Sequence, residues 1–230
     1  MKPLKLNFDS NPNIGLFLFA NNKFCLIGKG INKKYYKQIE QTLNVPVIPI
    51  SVIGTDLTGI FIAGNDHFIL APELMFEDEK EELNKICNNF KCELIIINDK
   101  ITALHNCSLI NNHFALFCKE FSKSTREKIK RLLSNYNIKF DFNNLDSMPL
   151  IGSYCVLNNK KCVLSNIFSN EIEEEISHKF NVEVIKLSVN FGNNVISSGL
   201  CMNDYGYIIG DLTTPIELYE LDNFLRDENE

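Results

Sequence analysis

Long apolar runs are missing from this chain: none approaches the roughly 20 residues that a membrane-crossing helix needs, and no secretory leader opens it, so neither a membrane nor a secreted protein is expected. Basic residues are outnumbered, 23 Lys and Arg against 29 Asp and Glu, for a formal net charge of -6. Gripping nucleic acid mainly through phosphates requires cations that displace counterions, so this balance argues against that mode. A ribonucleoprotein would instead be met through its basic protein. The acidic runs at Glu77 to Glu82 and Glu171 to Glu175 fall at helix starts, where carboxylates complement the helix dipole.

Phosphate-cradling glycine patterns are also absent, since neither GxGxxG nor GxxxxGKS/T occurs. The four histidines, His67, His105, His113 and His178, are dispersed and none has a second His or a Cys four residues away, so neither a metal nor any other cofactor is expected. Eight cysteines are present, none as CxxC, and they sit inside apolar segments. Cys25, Cys155 and Cys201 read as small core residues, which points to a reducing compartment, cytoplasm or nucleus. No Gly/Ser linker interrupts the chain, and one domain is expected.

What the sequence does contain is a repeat. Five apolar runs are each broken by an Asn-centred turn: Leu16 to Ile27 around Asn21-Asn22, Ile60 to Leu70 around Asn65-Asp66, Cys107 to Phe117 around Asn111-Asn112, Ser153 to Leu164 around Asn158-Asn159, and Gly199 to Ile209 around Asn203-Asp204. A short polar turn between apolar segments predicts a β-hairpin, with Asn favoured for its tolerance of positive φ. Gly15, Gly59, Gly152 and Gly199 open four of the runs and predict crowding at one end of a ring. Apolar residues at helical spacing follow each hairpin, as in Leu83, Ile86, Cys87 and Phe90. Ser124 with Glu127, and Thr214 with Glu217 behind Pro215, read as capping boxes.

A short strand follows four of the helices, and Leu4 to Phe8 is left to complete the fifth unit. The predicted class is α+β: a propeller of five hairpin-plus-helix units, 9-50, 51-97, 98-142, 143-187 and 188-225, closed into a ring, with an acidic tail over 226-230. Asn106 stands out as polar in an apolar setting, at the place where other units put Gly. It is either a left-handed turn residue or an exposed amide able to bond a partner backbone in both directions.

Five stretches carry a family resemblance: Asn13-Ile14-Gly15, Thr102-Ala103-Leu104 through Asn106, Ile151-Gly152-Ser153-Tyr154-Cys155-Val156, Val189-Asn190-Phe191-Gly192, and Gly210-Asp211-Leu212-Thr213-Thr214. Over essentially its whole length the chain resembles translation initiation factor 6 of eukaryotes and archaea, and Gly152 to Val156 looks eukaryotic. The resemblance implies a pentein fold and a monomer on the intersubunit face of the large (60S-type) ribosomal subunit, blocking small-subunit joining. It further implies contact chiefly with ribosomal protein uL14, with the sarcin-ricin loop and a neighbouring ribosomal protein nearby, and a part in subunit biogenesis in nucleus, nucleolus and cytoplasm. On this basis the contact residues are expected among Gly15, Gly59, Ile60, Asn65, His105, Asn106, Gly152, Tyr154, Asn190 and Phe191. Three of them depart from the family pattern: Ile60 and Phe191 stand where it commonly has Arg, and His105 where it has Gly.

A five-unit ring is also the architecture of guanidine-modifying enzymes, which carry an activated Cys in the central cavity. The candidates for such a group would be Cys201 with His105 or His113 and Asp56, although no residue pattern demands that grouping.

Overall fold

Each repeat owes its hairpin to one asparagine oxygen. In the computed structural model, which describes residues 3–226, Asn21 Oδ1 accepts the amides of Lys23 and Phe24, both at 2.9 Å. The same two-amide capture recurs at Asn65, Asn111, Asn158 and Asn203. None of these turn residues has positive φ, which corrects the expectation. Asn is used for its side-chain acceptor, which mimics a backbone turn.

The hairpins are β2 (Leu18–Ala20) with β3 (Cys25–Gly28), β5 (Ala63–Gly64) with β6 (Phe68–Pro72), β8 (Ser108–Ile110) with β9 (Phe114–Phe117), β11 (Cys155–Leu157) with β12 (Lys161–Ser165), and β14 (Leu200–Met202) with β15 (Tyr207–Gly210). A helix then carries the chain across: α1 (Tyr36–Leu43), α2 (Glu77–Asn89), α3 (Lys123–Asn135), α4 (Asn170–Phe180) and α5 (Pro215–Leu225). The third strand of each sheet lies parallel to the second. These are β4 (Val47–Ile50), β7 (Glu93–Ile97), β10 (Lys139–Phe142) and β13 (Glu183–Leu187) in the first four units. In the fifth the place is taken by β1 (Leu4–Leu6), in register Leu4 with Ile208 and Leu6 with Gly210. The acidic tail, 227–230, lies outside the described residues.

Strands such as β3 and β9 are buried on both faces, so they read as unbroken apolar runs without alternation. Five apolar clusters fill the space between neighbouring sheets. Phe68 and Leu70 of unit two pack with Phe117 and Leu133 of unit three, and Cys201 and Ile208 of unit five pack with Ile27 and Leu43 of unit one. Full burial of Phe24, Phe68, Phe117 and Phe180 contributes about 1.5–3 kcal/mol apiece.

Thr214 and Glu217 form the expected reciprocal cap behind Pro215. At α3 the cap is Ser122, which accepts the Thr125 amide at 3.3 Å, so the Ser124–Glu127 expectation misses by two residues. Asn44 and Asn181 end α1 and α4 in the left-handed conformation that asparagine tolerates.

Candidate functional site

The hairpin turns gather at one end of the ring and are bound into two closed cycles. In the first, the side-chain amide of each leading Asn donates to the backbone carbonyl of the next: Asn21 to Asn65, Asn65 to Asn111, Asn111 to Asn158, Asn158 to Asn203, and Asn203 back to Asn21. In the second, each backbone amide of Asn22, Asp66, Asn112, Asn159 and Asp204 donates to the side-chain oxygen of the next residue of that set. Asn65 is 5% exposed, with both polar atoms of its side chain engaged in the turn and the cycle. It lies at the opposite end from the other expected contact residues and shares no surface with them.

At the other end the hairpins open from short helical turns: Ile14–Phe17, Thr58–Phe61, Ile151–Tyr154 and Ile196–Gly199. Counting six residues back from each turn Asn aligns Gly15, Gly59, His105, Gly152 and Ser197. Hence His105 holds the glycine position in unit three, not Asn106, and Ser197 holds it in unit five, not Gly199. A Cβ on Gly15 would lie 2.0 Å from the Ser197 carbonyl oxygen, one on Gly59 1.9 Å from that of Gly15, and one on Gly152 1.9 Å from that of His105. The glycines therefore admit the chain's own neighbouring backbone, and their smallness serves the fold and not a docking partner.

His105 is accommodated because residues 104–107 form turns instead of a helical turn. Its amide donates to the Ile60 carbonyl at 3.2 Å. The half-buried side chain lines a central cavity of about 80 Å³, and burial depresses its pKa to about 4.

Asn106, also half-buried, has negative φ, which removes the left-handed-turn reading. Its carbonyl accepts the Gly152 amide at 3.0 Å, and among the described residues nothing bonds its side-chain amide. Ile60 occupies the aligned position in unit two and is partly exposed. Tyr154 is partly buried edge-on against Phe168, with centroids 6.1 Å apart.

Asn190 is buried and structural. Its side-chain amide donates to the Pro12 carbonyl at 2.9 Å, and its amide N–H donates to Thr213 Oγ1 at 3.1 Å. Phe191 beside it is 82% exposed. Asn190, Phe191 and Gly192 all have positive φ, at 49°, 65° and 83°. The Glu217 carboxylate holds this strained tip by accepting the amides of Gly192 at 2.9 Å and Phe191 at 3.3 Å. Burial alone would push the Glu217 pKa up, but the bonds from Ser188, Thr214 and Gly192 outweigh it and leave the group below the usual carboxylate range. Glu79 does the same for the tip at Ile53 and Gly54, at 2.9 and 2.8 Å, so part of the acidic run is buried and bonded, not solvated.

Strand directions bring these loop tips, the short helical turns and the N-termini of all five long helices to the same end. Nine large apolar side chains are exposed among the described residues, and seven belong to this end or its rim: Leu74, Phe76, Leu150, Ile167, Phe191, Leu212 and Ile216. Sequence reasoning found only Phe191. The signal for the others was an apolar residue just ahead of a helix start, as Leu74 and Phe76 flank the buried Met75.

Cys201 and His105 line the same central cavity, but neither Asp56 nor His113 joins them there, so the alternative catalytic grouping does not assemble. Burial pushes the Cys201 thiol up to about 12, so it is protonated at neutral pH, and it packs in an apolar cluster with Cys25, Ile27 and Ile39. The Asp56 carboxylate is taken by the Gly30 amide at 2.7 Å, and His113 sits beside the turn Asn111 at the far end. Among the described residues no group of three or more His, Cys, Asp or Glu side chains is placed to hold a metal ion.

The architecture is that of the pentein class, α+β with five three-stranded units. A solved dimethylarginine dimethylaminohydrolase adduct with 4-chloro-2-hydroxymethylpyridine matches with a TM-score of 0.52 at 11% identity, covering 75% of this chain and 69% of that one. DDAH from Pseudomonas aeruginosa, a mutant complexed with citrulline, matches with a TM-score of 0.50 at 12% identity over 80% and 71%. At such identities the likeness concerns the fold alone.

Sequence carries the assignment further. The eIF-6 family model matches residues 3–224, and the chain belongs to that family of translation initiation factors. Translation initiation factor 6 of Saccharolobus islandicus is 32% identical over 221 residues, 96% of this chain and 97% of that protein. Eukaryotic translation initiation factor 6 of Trypanosoma cruzi is 29% identical over 218 residues, 94% and 86%.

Proposed function

We propose that this protein binds the intersubunit face of the large ribosomal subunit through the glycine end of the ring and blocks small-subunit joining by occupancy, with a part in large-subunit biogenesis. The observation that carries the reading is the gathering of exposed apolar side chains on that one end, where Glu217 fixes the backbone of the Phe191 tip and Glu79 that of Phe76. Rigid apolar anchors lose little conformational entropy on docking, which suits a steric blocker. Membership in the translation initiation factor 6 family supports the same role.

An acidic protein with an apolar docking end suits a basic ribosomal protein better than bare phosphate, so uL14 is the proposed main contact, with the sarcin-ricin loop and a neighbouring ribosomal protein beside it. Asn106, Ile60 and Phe191 are the proposed contact side chains from the expected set. The role is non-catalytic, exercised by a monomer in the cytoplasm, nucleus and nucleolus. Sucrose-gradient sedimentation of purified subunits tests it: saturating protein lowers the joined fraction, and an unchanged joined fraction overturns the proposal.

A further inference from the structure

Every unit buries two side chains at fixed distances from its turn asparagine, three residues before it and four after. They are Leu18 and Cys25, Ile62 and Ile69, Ser108 and Ala115, Cys155 and Cys162, and Leu200 and Tyr207. Aliphatic, small polar and aromatic side chains all serve at these positions, so the packing of a unit does not demand sulfur at either one. Only the fourth unit sets two thiols there. Across the antiparallel pair of β11 and β12, Cys155 lies opposite Leu164 and Cys162 opposite Leu157, which makes the two cysteines diagonal neighbours on one face of the sheet. Their Sγ atoms are 3.1 Å apart. A disulfide bond is about 2.05 Å long, so an approach of about 1 Å separates this contact from a covalent bond.

The two sulfurs differ in what surrounds them. Cys162 is sealed in the apolar cluster of Leu164, Phe168 and Phe180, whereas Cys155 also lines the central cavity of about 80 Å³. A space of that volume admits molecules of about the size of water. Burial and the hydrogen bond to Cys155 push the Cys162 thiol well above the ordinary range, so it keeps its proton and donates it toward the Cys155 sulfur. Cys155 is thus the sulfur that a small oxidant in the cavity meets first, with Cys162 directly behind it.

We propose that Cys155 and Cys162 form an oxidation site for a small hydroperoxide, converted in the folded chain from two thiols to one disulfide. With hydrogen peroxide, the Cys155 sulfur attacks one oxygen, the O–O bond breaks, and the thiol proton leaves with the departing oxygen as water, giving a sulfenic acid. The Cys162 sulfur then attacks the sulfenic sulfur. An S–S bond forms as the S–O bond breaks, and the Cys162 proton leaves with the hydroxyl as a second water. Two thiols are oxidised and one peroxide is reduced to two waters, so no further reactant is needed. Neither sulfur belongs to the proposed subunit contacts, so this inference goes beyond the subunit-binding reading and stands or fails apart from it.

Hydrogen peroxide treatment of the full chain, followed by unfolding, alkylation of the remaining thiols and mass spectrometry, tests it. The expected product has lost two of its eight free thiols and the mass of two hydrogens. Lys160 and Lys161 lie between the two cysteines, so trypsin turns the bond into a cross-link between two peptides, which dithiothreitol then separates. Cys155→Ser, the residue that the third unit carries as Ser108, removes the cross-link with the melting temperature retained. Should that variant not fold, Cys162→Ala, matching Ala115, supplies the comparison. Survival of all eight thiols overturns the proposal, as does oxidation of Cys155 to a sulfinic acid without a cross-link. A disulfide confined to other cysteines, such as Cys107 with Cys118, overturns it as well.

Discussion

The Asn203 side-chain amide donates to the Asn21 carbonyl at 3.1 Å, joining residues 182 positions apart and returning the chain of turn-to-turn bonds from the fifth unit to the first. The same amide also reaches the Leu43 carbonyl at 2.8 Å, and its oxygen accepts the amides of Tyr205 and Gly206. Asn203→Ala removes all four bonds and leaves buried partners unpaired, at a cost of about 2–4 kcal/mol. A fall in melting temperature of roughly 4–16 °C is expected for a chain of this size. Calorimetry of the variant beside the parent checks it, and a shift under about 2 °C would show the cycle to be ornamental to stability.

Gly15→Ser is expected to break the fold and not merely a contact. The new Cβ meets backbone, the Ser197 carbonyl oxygen at 2.0 Å and that of Leu200 at 2.9 Å, and neither can swing aside as a side chain would. A loss of more than about 3 kcal/mol follows from overpacking of this kind. Urea unfolding measures it, and a midpoint equal to that of the parent would mean that the two units separate at little cost.

Asn106→Ser should leave the fold alone and weaken docking. Its side chain makes no bond within the described residues, and its backbone is unstrained. Shortening the amide at an interface leaves a partner group unpaired, worth about 1–3 kcal/mol or roughly ten- to a hundredfold in affinity. Paired measurements of subunit affinity and melting are decisive. Unchanged affinity takes Asn106 out of the interface, and a joint collapse makes it structural.

Acid stability should carry the mark of His105. Its pKa is 6.5 when exposed and about 4 in the folded protein, where burial disfavours the imidazolium. Below pH 6.5 the unfolded chain takes up a proton that the native one refuses, so stability present above that pH is lost as pH falls toward about 4. The loss amounts to at most about 3 kcal/mol. His105→Gly restores the residue that three other units use, and the difference between variant and parent should grow as pH drops through this window. Parallel stability curves would contradict it.

Much of the architecture was legible because each local signal recurs five times. The spacing of Asn21, Asn65, Asn111, Asn158 and Asn203 sets the unit length, and the helical periodicity after each hairpin supplies the crossover. What escaped was the reason for the residues. Asn at the turns is an acceptor for two amides, and a sequence does not distinguish that from tolerance of positive φ. The glycines were legible as a crowded end, yet whether the crowding neighbour is a partner or the chain itself depends on contacts across units. Asn190 and Phe191 are adjacent in sequence and opposite in role, because three left-handed residues turn one side chain into the fold and the other out of it. The apolar rim was hidden for a related reason, since Leu74 and Leu212 look like the first core residues of helices that in fact start after them.

The pairing of β1 with β15 has a consequence for timing. The strand made first has its partner among the strands made last, with Lys5 opposite Ile209. On the ribosome the first four sheets can form in order as they emerge, each with all three strands in hand. Leu4 to Leu6 must wait through four units with its amides unpaired, and the fifth sheet assembles only when Tyr207 to Gly210 arrives. The ring is therefore left open until the fifth hairpin has been made, and its final closure is a long-range step of the kind that slows folding.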